Sequence, residues 1–123
     1  MKMKVMLDKG AFMPDCEFLT DVGFDLRSPI RATVPAGRSA AIDTGVHIRL
    51  PENYRAILKS KPGLSLRYGI LSEGVIDPTY SGSILVNLRN YSDKPYMVEV
   101  GDKIAQLCIL PPIRPELELV TSL

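Results

Sequence analysis

The sequence of 123 residues contains no tryptophan, one histidine and two cysteines, and its 15 basic residues are balanced by 14 acidic ones. Each scarcity removes a class of function. A net charge of +1 argues against binding to nucleic acid or to anionic membranes, both of which need a basic excess. No apolar run approaches the roughly 20 residues of a membrane span. Nor does Met1-Lys2-Met3-Lys4-Val5 lead into the apolar region of a signal peptide. A Ser-His-Asp or Cys-His device would have to use His47, and no nucleophile lies near it. His47 therefore reads as a solvent-facing strand residue. No Cys/His cluster has the spacing of a transition-metal site; a metal acting here is expected to be Mg²⁺ carried by a polyphosphate, which needs few protein carboxylates. Cys16 and Cys108 are distant and read as reduced thiols packed as small hydrophobes. The expectation is a soluble, cytoplasmic protein, with residues 1–123 forming one domain.

What the chain has in quantity is turn-formers, ten prolines and nine glycines, which divide it into short apolar runs. Met3, Val5 and Leu7 alternate as in a strand with one wet face. A loop is expected over residues 9–21, then an extended segment over 22–27 in which Asp25 points opposite to Phe24. Residues 34–38 read as a turn, 41–50 as one strand, and 54–59 as another. Residues 60–68 break the pattern, with a short helical turn over 64–68. Ile84, Val86 and Leu88 share one face of a strand. Further strands are expected over 95–100 and 104–110, followed by a stiff, extended tail. Short strands without a long amphipathic helix predict an all-β sandwich or barrel.

Three places have the residue types of a site. Gly74-Val75-Ile76-Asp77-Pro78-Thr79-Tyr80-Ser81-Gly82 reads as strand, tight turn, strand, because Asp-Pro initiates turns and Val-Ile favours burial in a strand. It would hold one carboxylate and one ring at a buried bend, suited to a small flat ligand and a water; an ordinary hairpin is the plain alternative. Lys59-Ser60-Lys61-Pro62-Gly63-Leu64-Ser65-Leu66-Arg67 combines cations, hydroxyls and a glycine without an acid, which suits phosphate or simply a basic surface loop. Gln106 is the one strongly polar side chain in an apolar strand; it pairs with a neighbouring strand or reaches into a site.

Four segments in order, Val22-Gly23-Phe24-Asp25-Leu26, Lys61-Pro62-Gly63-Leu64, Gly74-Val75-Ile76-Asp77 through Tyr80-Ser81-Gly82, and Gly101-Asp102-Lys103-Ile104-Ala105-Gln106-Leu107, resemble the first four motifs of the trimeric dUTP pyrophosphatases (dUTPases). The resemblance spans most of the chain. It implies a distorted β jelly-roll of the β-clip type, a homotrimer with sites between subunits, and Mg²⁺-dependent hydrolysis of dUTP to dUMP and pyrophosphate. On that resemblance Asp77 is the general base for the attacking water, and Tyr80 lies against the deoxyribose. The backbone of Gly74, Val75 and Ile76 meets the uracil edge. Lys61, Gly63 and Gln106 contact phosphate oxygens, and Asp25 places a water on the Mg²⁺.

Two departures from the family pattern stand out. Pro62 occupies the place of a serine whose hydroxyl touches a phosphate; Ser60 or Ser65 is a candidate substitute. The family's glycine-rich fifth motif has no counterpart before Leu123, which leads to an expectation of weakened turnover. A related fold carries dCTP deaminases, but their proton-shuttling glutamate falls at Asn87 and their second-motif arginine at Leu66. A non-catalytic binding or scaffold protein of the same fold is the other alternative.

Overall fold

The alternation of Leu85-Val86-Asn87-Leu88-Arg89-Asn90 is reproduced residue by residue: Val86, Leu88 and Asn90 are buried and their neighbours exposed. The structure, a computed structural model, describes residues 1–18 and 23–123. Val22 of the first motif and the end of the expected 9–21 loop lie outside the described residues.

The elements run β1 (Lys4–Leu7), β2 (Phe24–Arg27), β3 (Ala32–Val34), β4 (Ser39–Asp43), β5 (Val46–Arg49), β6 (Arg55–Lys59), α1 (Pro62–Tyr68), β7 (Ile70–Leu71), β8 (Gly74–Ile76), β9 (Leu85–Asn90), β10 (Tyr96–Val98) and β11 (Lys103–Leu110). All described pairings are antiparallel. The largest sheet has the order β2-β11-β6-β8, a second has β4-β9-β7, and β1-β5 and β10-β3 form two-stranded ribbons. Leu26, Leu58, Ile76 and Leu107 from the first sheet and Ile42, Ile70, Val86 and Leu88 from the second enclose the core. The architecture is the all-β one expected, with one short helix.

The expected strand over 41–50 is divided. Gly45 takes φ 68° between β4 and β5, a left-handed conformation that only glycine adopts without cost. A Cβ there would come within 2.9 Å of Ala11 Cβ. Its amide is held by Asp43 Oδ1 at 2.9 Å, while Thr44 Oγ1 donates to Ile84 O at 2.7 Å. The strand breaks because Asp43 satisfies the Gly45 amide locally while Thr44 ties the junction to the distant Ile84. The short helix is longer at its start than the expected turn. It begins at Pro62, a first-turn position where the missing N–H has no intrahelical partner to lose.

Two other readings are corrected. Cys16 is exposed rather than packed as a small hydrophobe; both cysteines are free, and only Cys108 is buried. His47 is half-buried, not solvent-facing: its ring lies between Asp8 Oδ1 at 2.9 Å and Ser81 O at 2.8 Å.

Candidate active site

Among the described residues β8 pairs on one side only, with β6, so its outer edge keeps backbone donors and acceptors free of a neighbouring strand. Ile76 is buried while Val75 is 82% exposed. The bend after it is therefore a surface turn in this chain rather than the buried one expected. Asp77 O accepts from Tyr80 N at 2.9 Å, closing the turn. Asp77 Oδ1 accepts both Thr79 N at 2.8 Å and Thr79 Oγ1 at 2.7 Å. Those two bonds, with the Arg55 charge, hold the carboxyl below its ordinary pKa. Oδ2 takes no hydrogen bond from the described residues, so one oxygen anchors the side chain and the other is free for a ligand or water.

Tyr80 folds back over Gly82 and donates its hydroxyl to Ser83 O at 2.6 Å. A Cβ on Gly82 would lie 2.6 Å from the Tyr80 hydroxyl oxygen and 2.7–2.9 Å from ring carbons, closer than packing permits. Gly82 thus has its physical reason in the ring. Gly74 has a weaker one, since a Cβ there would meet Leu58 at an ordinary 3.6 Å. Asp77, Tyr80, Gly74, Val75 and Ile76 line one cleft of about 300 Å³, floored by Leu58 and Ile84 and bounded by Asn87 and Glu73.

A second cluster forms where β11 runs between β2 and β6. Gln106 stands opposite Asp25 on one side and Lys59 on the other. Asp25 is buried, with Lys61 Nζ at 2.6 Å from Oδ1 and Lys103 Nζ at 3.4 Å from Oδ2. Gln106 Nε2 donates to Ser60 O at 3.2 Å, so the amide does pair with a neighbouring segment. Ser60 is not spare: its hydroxyl accepts Ser72 N at 2.8 Å and lies 2.9 Å from Ser72 O. Ser65, half-buried on the helix with its hydroxyl 3.3 Å from Pro62 O, is the freer hydroxyl. Gly63 is exposed, with open space where a Cβ would stand.

The structure thus brings Lys61, Asp25 and Gln106 together, and separately Asp77, Tyr80 and β8. Gly74 stands opposite Leu58, next to Lys59, but Asp77 is not brought to the Lys61–Asp25–Gln106 group within one chain. Ile76 stands opposite Ala56 and Gln106 opposite Lys59. The rows are three residues apart along β6, about 10 Å at strand rise, and Asp77 lies beyond Ile76. Sequence reasoning missed Lys103 as a partner of Asp25, although it sits inside the fourth quoted segment. It also missed Thr79, whose place two residues after an aspartate is the ordinary sign of a side-chain-capped turn.

Comparison with known proteins agrees with this geometry. The dUTPase family model matches residues 11–123. The deoxyuridine 5'-triphosphate nucleotidohydrolase of Gloeothece citriformis is 38% identical over 127 aligned residues, covering all of this chain and 88% of the relative. That of Clostridium acetobutylicum is 35% identical, covering 95% of this chain and 83% of its own. Among solved structures, a dUTPase of Staphylococcus bacteriophage 80alpha with dUPNHPP superposes with a TM-score of 0.85 at 28% identity, covering 99% of this chain and 89% of that one. A mutant dUTPase from phage phi11 of S. aureus, described with a structural Mg(II) ion, gives 0.84 at 28% identity, with 98% and 97% covered. Matched by the family model from residue 11 to its last residue, and by relatives along its full length, the chain belongs to the dUTPase family.

Proposed function

We propose that this chain hydrolyses dUTP to dUMP and pyrophosphate, and that Asp77 aligns and deprotonates the attacking water. The observation that carries the reading is the cleft itself: a carboxylate anchored through one oxygen beside a ring, at the free edge of a strand. With its pKa lowered, Asp77 is a poor proton acceptor at equilibrium, so its contribution is placement of the water and electrostatic support. The edge of β8 supplies backbone N–H and C=O groups to the uracil. An exocyclic amine at the same place would face wrong partners, and polar mismatch discriminates strongly. Tyr80 presents its ring where a 2′-hydroxyl would collide.

Lys61 and Gln106 serve the phosphates, with Gly63 offering backbone that can be approached closely. Among the described residues no group of three His, Cys, Asp or Glu forms a metal cage. One buried carboxylate already facing two ammonium groups suits a cation reached through water better than one bound directly. Mg²⁺ bound with the triphosphate would supply charge neutralisation; Asp25 would hold the water shell on its protein side.

Asp77 lies beyond the Ala56 end of β6 and the Lys61–Asp25–Gln106 group at its Lys59 end, which supports a homotrimer whose sites are completed across subunits. Exposed Val75 and Leu85 beside the cleft favour that assembly, since apolar side chains there gain from being covered. A single domain and a cytoplasmic place complete the proposal; no helix among the described residues is long and apolar enough to cross a membrane. Asn87 lines the cleft where a deaminase needs a carboxylate, so the deaminase reading has no support in the geometry.

The test is pyrophosphate release with dUTP and the four standard deoxynucleoside triphosphates in Mg²⁺, beside Asp77→Asn. Release from dUTP alone, lowered about 10²–10⁴-fold in the variant, is the expected result. No release from dUTP, or a variant as active as the parent, would overturn the proposal.

A further inference from the structure

We infer that His47 is a positioning residue for the nucleotide turn, tying Ser81 to Asp8 as an imidazolium. The inference rests on the reading that the turn over residues 77–80 holds deoxyuridine. Its basis is a donor count. Nδ1 lies 2.8 Å from Ser81 O and Nε2 lies 2.9 Å from Asp8 Oδ1. A carbonyl and a carboxylate only accept, while a neutral imidazole carries a single N–H. Both bonds exist together only when both ring nitrogens are protonated.

The place of this ring makes it matter. The β4–β5 junction grips the far leg of the turn through Ile84, whose N donates to Val46 O at 2.8 Å and whose O accepts Thr44 N at 3.0 Å. Those bonds do not titrate. Ser81, between Tyr80 and the Gly82 that the ring covers, takes its side-chain anchor from His47. When the imidazolium loses a proton, the remaining N–H goes to the stronger acceptor, the Asp8 carboxylate. The other nitrogen then turns a lone pair on Ser81 O, and the anchor is lost beside Tyr80.

The charged groups facing the ring are Asp8 from the segment after β1, Asp43 from β4, and Lys4 and Arg49, which line the same groove on β1 and β5. The Ser81 carbonyl first, then Asp8 and Asp43, raise the pKa of His47 above 6.5. The bond to Ser81 is therefore fully present below the ordinary histidine value, and it fails as pH rises through the raised one.

The experiment measures KM and kcat for dUTP against pH in saturating Mg²⁺, for the parent, His47→Gln and Asp8→Asn. In the parent, KM is expected to rise about threefold to tenfold across the ring's titration, because the lost bond acts on the nucleotide only through the turn, with kcat changing less. His47→Gln abolishes that step, and Asp8→Asn moves it to lower pH or removes it. A step that persists in His47→Gln, or stays in place in Asp8→Asn, overturns the inference. Nitrogen NMR of the ring and exchange of the Tyr80 amide, both without nucleotide, keep the two readings apart. If the parent turns over no dUTP yet the doubly protonated ring titrates together with Tyr80 protection, the hydrolase proposal falls and the anchor stands. A ring found neutral where an ordinary histidine is half protonated refutes the anchor, whatever the activity.

Discussion

Replacing Gly82 by alanine separates what the fold needs from what the site needs. The new methyl would begin 2.6–2.9 Å from the Tyr80 hydroxyl oxygen and ring carbons, against an ordinary carbon contact of about 3.5–4.0 Å. Gly82 is not among the glycines with positive φ, so the backbone accepts alanine and the ring must move, by about 1 Å. Tyr80 is a partly exposed side chain and can swing outward, losing its bond to Ser83 O. That loss costs about 0.5–1.5 kcal/mol, and the stiffer unfolded chain returns about 0.4–1 kcal/mol. The two offset, so Tm should change by less than about 5 °C. Catalysis has no such compensation: a displacement of about 1 Å beside the reacting groups can cost about 10²-fold. The assay is kcat/KM for dUTP and UTP beside a thermal melt. The expected result is a dUTP value down about 10–100-fold, with a smaller preference over UTP and a melt close to the parent's. An unchanged dUTP-to-UTP ratio would refute the role given to the ring. A Tm fall beyond about 10 °C would show that Tyr80 cannot move.

Asp25→Asn leaves Lys61 and Lys103 facing an uncharged amide in a nearly closed place. Breaking a buried pair costs about 3–5 kcal/mol; because both lysines are partly open, about 2 kcal/mol is expected, read as a lower midpoint in urea unfolding. Thr79→Val removes the hydroxyl on Asp77 Oδ1 but leaves the backbone bond. The depressed carboxyl pKa then rises toward 3.8, so the acid limb of kcat moves to higher pH while activity near neutrality changes little; an unmoved limb in the pH–rate profile would count against Asp77 as the base. Pro62→Ser restores the hydroxyl of the family pattern at the first position of α1. Turnover should rise, while the stiffness that proline gives the unfolded chain is lost, lowering stability by up to about 1 kcal/mol; paired kinetics and melts read both.

The strands were legible wherever one face is buried against the core. The alternation of Ile84, Val86 and Leu88 survives in the burial of β9, because a period of two has one physical meaning on a half-buried sheet, whereas the apolar run 104–110 is buried at adjacent residues of β11. The break at Gly45 was not, since the residues that divide β4 from β5 satisfy the backbone through Ile84, 40 positions away. Val75 misled for a related reason. Its type favours burial, but β8 is an edge and nothing among the described residues covers that side.

By its order of residues alone the chain determined an all-β fold, the tight turn at Asp77, and the family pattern of four segments. These are local properties: turn chemistry, alternation and motif spacing act over a few residues. Tertiary structure decided which charges meet. Asp25 and Lys61 are 36 positions apart and His47 and Ser81 are 34 apart, yet each pair lies within hydrogen-bonding distance. Antiparallel register chooses such partners, and it is set by the packing of the whole sheet rather than by either residue.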